Sequence, residues 1–154
     1  MKTVIIGSGK VAYHLAKAFH RNHIEVCQIF GRNENDLKAI SDELNIPFST
    51  TNLADVDLYI ICVNDDSIAE VSKMITKENC LVAHTSGSLT KEILDGNYRK
   101  ASFYPLQTFS KSKELNYSEI PFFIDSENED DRIKLKNLAQ KISDKVLFAD
   151  DEKR

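Results

Sequence analysis

Residues 4–19, VIIGSGKVAYHLAKAF, hold the feature that most restricts the fold. A run of β-branched residues is cut off at Gly7 and Gly9, and from there Val11, Ala12, Leu15, Ala16 and Phe19 recur along one helical stripe. Strand, tight turn and helix follow one another with no residue to spare. A strand apolar at every position is buried on both faces, and that requires helices on both sides of the sheet.

The remaining sequence repeats this unit. EVCQIF (25–30) reads as a second strand, and Leu37, Ile40 and Leu44 mark a second helix, followed by Pro47, which cannot prolong it. IPFST is a weak third strand and DLYIICV (57–63) a strong fourth, after which Ile68, Val71 and Ile75 predict another helix. CLVAHT (80–85) is a fifth strand, a short helix is expected over 89–95, and KASFYP (100–105) is a sixth strand stopped by Pro105. A polar connection, LQTFSKSKELNYSE, leads to a seventh strand, IPFFID (120–125). A helix over 129–141 follows, with Ile133, Leu138 and Ile142 spaced for burial, and KVLFA (145–149) is an eighth strand. The expectation is one doubly wound α/β domain over 1–154, with a mostly parallel sheet of about eight strands and helices on both faces.

Composition narrows the partners. The 20 basic and 24 acidic residues are spread along the chain and leave a formal charge of −4, so no basic patch suits nucleic acid or an anionic membrane. The longest apolar run, LYIICV (58–63), is far short of the roughly 20 residues that span a bilayer. Strand-like sequence begins within two residues of Met1, with no room for a secretory signal, which predicts a cytoplasmic location. Cys27, Cys62 and Cys80 lack CxxC spacing and read as reduced core thiols. His14, His20 and His23 do not converge as metal ligands would and are expected on the surface, with no metal bound. The expected partner is a small molecule.

A glycine turn that opens a helix after a first strand places unpaired backbone N–H groups and the helix dipole where they attract a phosphate. Gly7 permits the turn, and Gly9, without a β-carbon, lets the backbone approach a pyrophosphate; Ser8, Lys10 and Val11 complete the loop. Ala12 stands where a third glycine often does. As a bare pattern GxGxxA is weak, and its weight comes from the strand before it and the helix after it. Strand two ends in Phe30, Gly31, Arg32 and Asn33, with no carboxylate for a ribose 2′-hydroxyl; Arg32 suits a 2′-phosphate, and Asn33 can donate beside it. NADP is expected ahead of NAD; a flavin nucleotide or S-adenosylmethionine are alternatives of the same fold.

Two further segments follow strand ends, where open α/β sheets bind ligands. Val63, Asn64 and Asp65 follow strand four, and His84, Thr85, Ser86 and Gly87 follow strand five, so the two could bracket a nicotinamide. His84 is the one imidazole among them, open to two readings, catalytic acid or base and loop-fixing residue. Asp65 and Asp66 precede a helix and read as caps. Tyr104, Pro105, Leu106, Gln107 and Thr108 are expected to shape the substrate side of the cleft.

In this order, GSGKVAYHLAKAF, ICVNDDSI, HTSGS and YPLQTF resemble the Rossmann-like proteins that carry a C-terminal domain of unknown function (DUF 2520). That group is similar in turn to pyrroline-5-carboxylate reductase and to 6-phosphogluconate dehydrogenase in its N-terminal half. The resemblance implies an NADP-dependent oxidoreductase that moves a hydride between the nicotinamide and an imine, carbonyl or hydroxy substrate. It also implies a following helical domain that closes the substrate site and forms a homodimer. This chain stops at Arg154, near where the family's first long helix begins, so that domain is expected to be absent and an apolar edge near Phe103, Tyr104 and Leu106 exposed. A reading from another class is a non-catalytic NADP-binding module, redox-sensing or structural.

Overall fold

The computed structural model describes residues 1–106 and 120–148. Eight strands form one sheet in the order β3-β2-β1-β4-β5-β6-β7-β8. They are β1 (Thr3–Ile6), β2 (Val26–Phe30), β3 (Phe48–Ser49), β4 (Leu58–Ile61), β5 (Leu81–His84), β6 (Arg99–Pro105), β7 (Phe122–Ser126) and β8 (Val146–Phe148). Among the described residues four helices connect them: α1 (Lys10–Arg21), α2 (Glu34–Leu44), α3 (Asp65–Ser72) and α4 (Glu129–Gln140). Every neighbouring pair is parallel except β6 and β7. This is the doubly wound α/β fold that the alternation of strand and helix patterns predicts.

The chain runs from β1 outward to β2 and β3, then returns across β1 to β4. Strand order therefore reverses beside β1, and the connections leaving β1 and β4 pass to opposite sides and open a crevice at their carboxyl ends. Alternate residues of these strands feed two cores. On one face Ile5, Ile29, Leu58 and Ile60 pack with Leu15 and Phe19 of α1, Leu37 of α2 and Leu135 of α4. On the other, Val4, Ile6, Tyr59 and Ile61 pack with Ile68 of α3. Phe19 is fully buried, which contributes roughly 1.5–3 kcal/mol relative to an exposed side chain.

Several local expectations change. The stretch predicted as a helix over 89–95 holds one 3-10 turn, Lys91–Ile93. Helix α3 ends at Ser72, so the buried Ile75 lies beyond it. In α4 the buried residues are Asp131, Leu135, Leu138 and Ala139, while Ile133 is 47% exposed. The helix is turned so that Asp131 meets Arg99 of β6, Nε to Oδ2 at 2.8 Å, and Ile133 then faces solvent. His14 is buried, because the packed arc of α1 takes in His14 and Ala18 beside the apolar stripe. Phe103 is fully buried rather than part of an exposed edge: its ring lies 4.9 Å from that of Phe122 across the β6–β7 pair. Cys62 and Cys80 are core thiols, but Cys27 is only half-buried. Among the described residues no helix is long and apolar enough to cross a membrane, and no cluster of His, Cys, Asp or Glu could hold a metal.

Candidate functional site

A cleft of about 490 Å³ opens at the carboxyl ends of β1, β2 and β4, at the reversal of strand order. Its floor is the glycine turn. Gly7 adopts φ +131°, and a β-carbon there would stand 2.3 Å from the carbonyl oxygen of Cys62, so no other residue fits between β1 and β4. Gly9 differs: its backbone is extended, and a β-carbon would meet nothing within 4 Å. That open volume lies over the start of α1. Gly9 is the N-cap and offers no side-chain cap, and no acidic residue stands in the first turn. The first intrahelical bond is from the Tyr13 amide to the Gly9 carbonyl at 3.0 Å, so the amides of Lys10, Val11 and Ala12 precede the ladder. Amides outside the ladder at the positive end of a helix favour an anion.

The cleft's far side is built by the tip of β2 and by α3. Gly31, Arg32 and Asn33 line it, with Arg32 and Asn33 exposed. Asn33 caps α2, its Oδ1 accepting from the Asp36 amide at 3.0 Å, which leaves its NH₂ as a donor. Thr50, just past β3, joins them. From α3 and the turn after it come Ser67, Glu70, Val71 and Met74, of which the apolar periodicity marks Val71 alone. Val71, read from sequence as core, packs partly on the core and also lines the cleft. Cys62 closes the floor; burial pushes its thiol up to about 12, so it is a packing group and not a nucleophile.

Val63 and Asn64 reach the cleft wall, whereas Asp65, His84 and Ser86 belong to a neighbouring network. Asn64, not Asp65, caps α3, its Oδ1 accepting from the Ser67 amide at 3.1 Å. Asp65 instead accepts from the Ser88 hydroxyl at 2.6 Å. The Ser86 and Ser88 hydroxyls pair at 3.3 Å. Ser86 Oγ also accepts from the amides of Ser88 and Leu89, at 3.2 and 3.3 Å. The Ser88 bond, then the one from Ser86, holds the Asp65 carboxyl below its ordinary range against a smaller opposing effect of burial. His84 is fully buried. Its Nδ1 accepts from the Ser86 amide at 3.1 Å, so the proton is on Nε2, which donates to the Thr90 carbonyl at 2.9 Å. Both ring nitrogens thus hold the loop. Tyr104, half-buried, packs its ring on this loop at Gly87, where a β-carbon would be 2.2 Å from the ring. Gln107 and Thr108 lie outside the described residues.

Reversed strand order, a glycine turn opening a helix, and a cleft above both define a dinucleotide-binding domain of Rossmann type. Residues 2–87 match the family described as NADP oxidoreductase, coenzyme F420-dependent, and the chain belongs to that family. Among solved structures the chain is similar to BF3122 of Bacteroides fragilis, described as an NADP oxidoreductase, with 35% identity and a TM-score of 0.88 over 98% of this chain and 61% of that one. The protein TM1727 of Thermotoga maritima is 18% identical, with a TM-score of 0.81 over 98% of this chain and 59% of that one. A pyrroline-5-carboxylate reductase of Streptococcus pyogenes is 15% identical, with a TM-score of 0.79 over 99% of this chain and 59% of that one. The last two likenesses are of fold alone. The chain thus spans about three fifths of the length of these structures. No curated protein sequence matches it.

Proposed function

We propose that the cleft binds NADP in preference to NAD, and that the domain presents the nicotinamide for hydride transfer to or from a carbon bearing an imine, carbonyl or hydroxyl group. The observation that carries this reading is the open volume at Gly9 over the uncapped N-terminus of α1, which leaves room for a pyrophosphate to approach the backbone. The amides of Lys10, Val11 and Ala12, with Ser8 beside them, would hold the phosphates. Arg32, with Asn33 and Thr50 beside it, would take the 2′-phosphate, since the tip of β2 carries no carboxylate before Glu34. Val71 and Met74 offer the apolar surface that an adenine ring needs.

When bound, the nicotinamide supplies the hydride chemistry. The chain's residues orient it: Val63 and Asn64 from the end of β4, and Ser86 from the end of β5, stand on either side of the ring's expected place. His84 supports that loop from beneath rather than exchanging protons, because both of its nitrogens are hydrogen-bonded to the chain. The substrate class rests on the resemblance of HTSGS and YPLQTF to the proteins with DUF 2520, in which a helical domain completes the substrate site and the homodimer.

Calorimetric titration tests cofactor choice. NADPH should bind this chain at least about tenfold more tightly than NADH, a difference of roughly 1.4 kcal/mol. Arg32→Ala should remove the difference by weakening NADPH alone. Equal affinities in the parent protein would refute the assignment of Arg32.

A further inference from the structure

We infer that Asp65 and Ser88 act as a latch between the β4 and β5 loops, which positions the nicotinamide half of the cofactor while leaving the adenosine half untouched. The inference rests on the dinucleotide reading above and adds a role for two side chains outside the cleft wall.

The argument begins with what Asp65 does not do. A carboxylate in the first turn of a helix usually serves the helix, by capping or by its charge. Capping of α3 is already done by Asn64, one residue earlier. The Asp65 carboxylate instead turns across to the next loop and takes the Ser88 hydroxyl at 2.6 Å, a short, charge-assisted bond. Ser88 in turn faces Ser86, whose hydroxyl gathers the Ser88 and Leu89 amides and whose own amide is held by His84. From the carboxylate to the buried imidazole the bonds are continuous, and they fix the backbone of the loop at the end of β5. A further polar tie between these segments lies deeper, where the Thr85 amide and hydroxyl both bond the Ile61 carbonyl at 3.2 Å.

The latch spans the two strand ends between which a nicotinamide would lie, whereas the adenosine groups would lie on the far side of Gly9, against Arg32 and α3. Both Asp65 and Ser88 are exposed, so the latch contributes little to folding. Its effect should therefore appear in the placement of one half of a ligand.

The test compares two probes on the same protein by calorimetry: NADPH, and adenosine 2′,5′-bisphosphate, which lacks the nicotinamide. The parent should bind NADPH more tightly than the bisphosphate and enhance the nicotinamide fluorescence. Asp65→Ala and Ser88→Ala should each weaken NADPH binding about threefold to tenfold and reduce that enhancement, with bisphosphate affinity unchanged within a factor of two. The double variant should be no worse than either single one, because each single change already breaks the bond. Unaltered NADPH binding in the single variants, equal weakening of both probes, or additive effects would overturn the latch. A parent that binds both probes equally would overturn the placement of the nicotinamide. A parent that binds neither would overturn the dinucleotide reading itself, and that result is visible before any variant is made.

Discussion

At Gly7 and Gly9 the same small substitution should have opposite consequences. Gly7→Ala places a methyl 2.3 Å from the Cys62 carbonyl at φ +131°, and Cys62 cannot retreat without breaking its 2.7 Å amide bond to the Ile6 carbonyl. Strain and clash together should cost about 3 kcal/mol or more, a fall in Tm of roughly 6–12 °C for a chain of this size. Gly9→Ala adds its methyl to open space on an extended backbone, so Tm should hold while NADPH affinity drops, because the methyl occupies the phosphates' volume. Thermal unfolding followed by circular dichroism, with calorimetry alongside, separates the two, and a Gly9 variant that loses stability but binds normally would contradict this account. Both glycines are legible in the sequence because their role follows from covalent geometry alone. The engagement of His84 is not, since its partners, the Ser86 amide and the Thr90 carbonyl, depend on the path of a loop that residue types do not dictate. The bond that takes Asp65 away from capping is hidden for the same reason: its partner is 23 residues away.

Among the elements, α4 shows where periodicity fails. Its place and length are readable from the acidic first turn and the apolar residues that follow, but its rotation is not. Asp131 is buried because Arg99, on β6, reaches it, and because Asn128 binds the same carboxylate oxygen at 3.1 Å. A buried aspartate is rare without such partners, so a hydrophobicity pattern assigns it to solvent and pulls Ile133 inward instead. Substitution discriminates the two orientations. Leu135→Ala, at a fully buried position, should cost about 2–5 kcal/mol, whereas Ile133→Lys, at a half-open one, should stay within about 0.5 kcal/mol. Midpoints of urea unfolding measure both, and comparable losses would mean that the helix packs as the apolar pattern alone suggests.

For the molecule as a whole, the mostly parallel, doubly wound sheet and the end of it that carries the cleft are legible, because each strand followed by a helix must cross over right-handedly and the glycine turn marks β1. The antiparallel turn of β7 against β6 carries a fainter signal: the connection before it is polar and lacks a helical stripe, so it offers no crossover. One of the two cores nonetheless touches all eight strands. A single cluster of buried residues runs from Leu37 and Ile40 of α2, beside the cleft, through Phe103 and Phe122, to Leu138 of α4 and Ile142 just beyond it. A ligand held by β1, β2 and β4 should therefore stabilise the far end of the sheet as much as the near one. At about 100 times Kd, NADPH should add about 2.7 kcal/mol to the stability of the folded chain, raising Tm by roughly 5–10 °C. Amides that exchange only through global unfolding should gain that protection equally in β1 and β4 and in β7 and α4, which touch no part of the cleft. Hydrogen exchange followed by mass spectrometry, with and without NADPH, reads both regions in one experiment. Protection confined to the residues around the glycine turn would show that the half of the sheet from β6 onward unfolds on its own, and that the shared core does not couple it to the cofactor site.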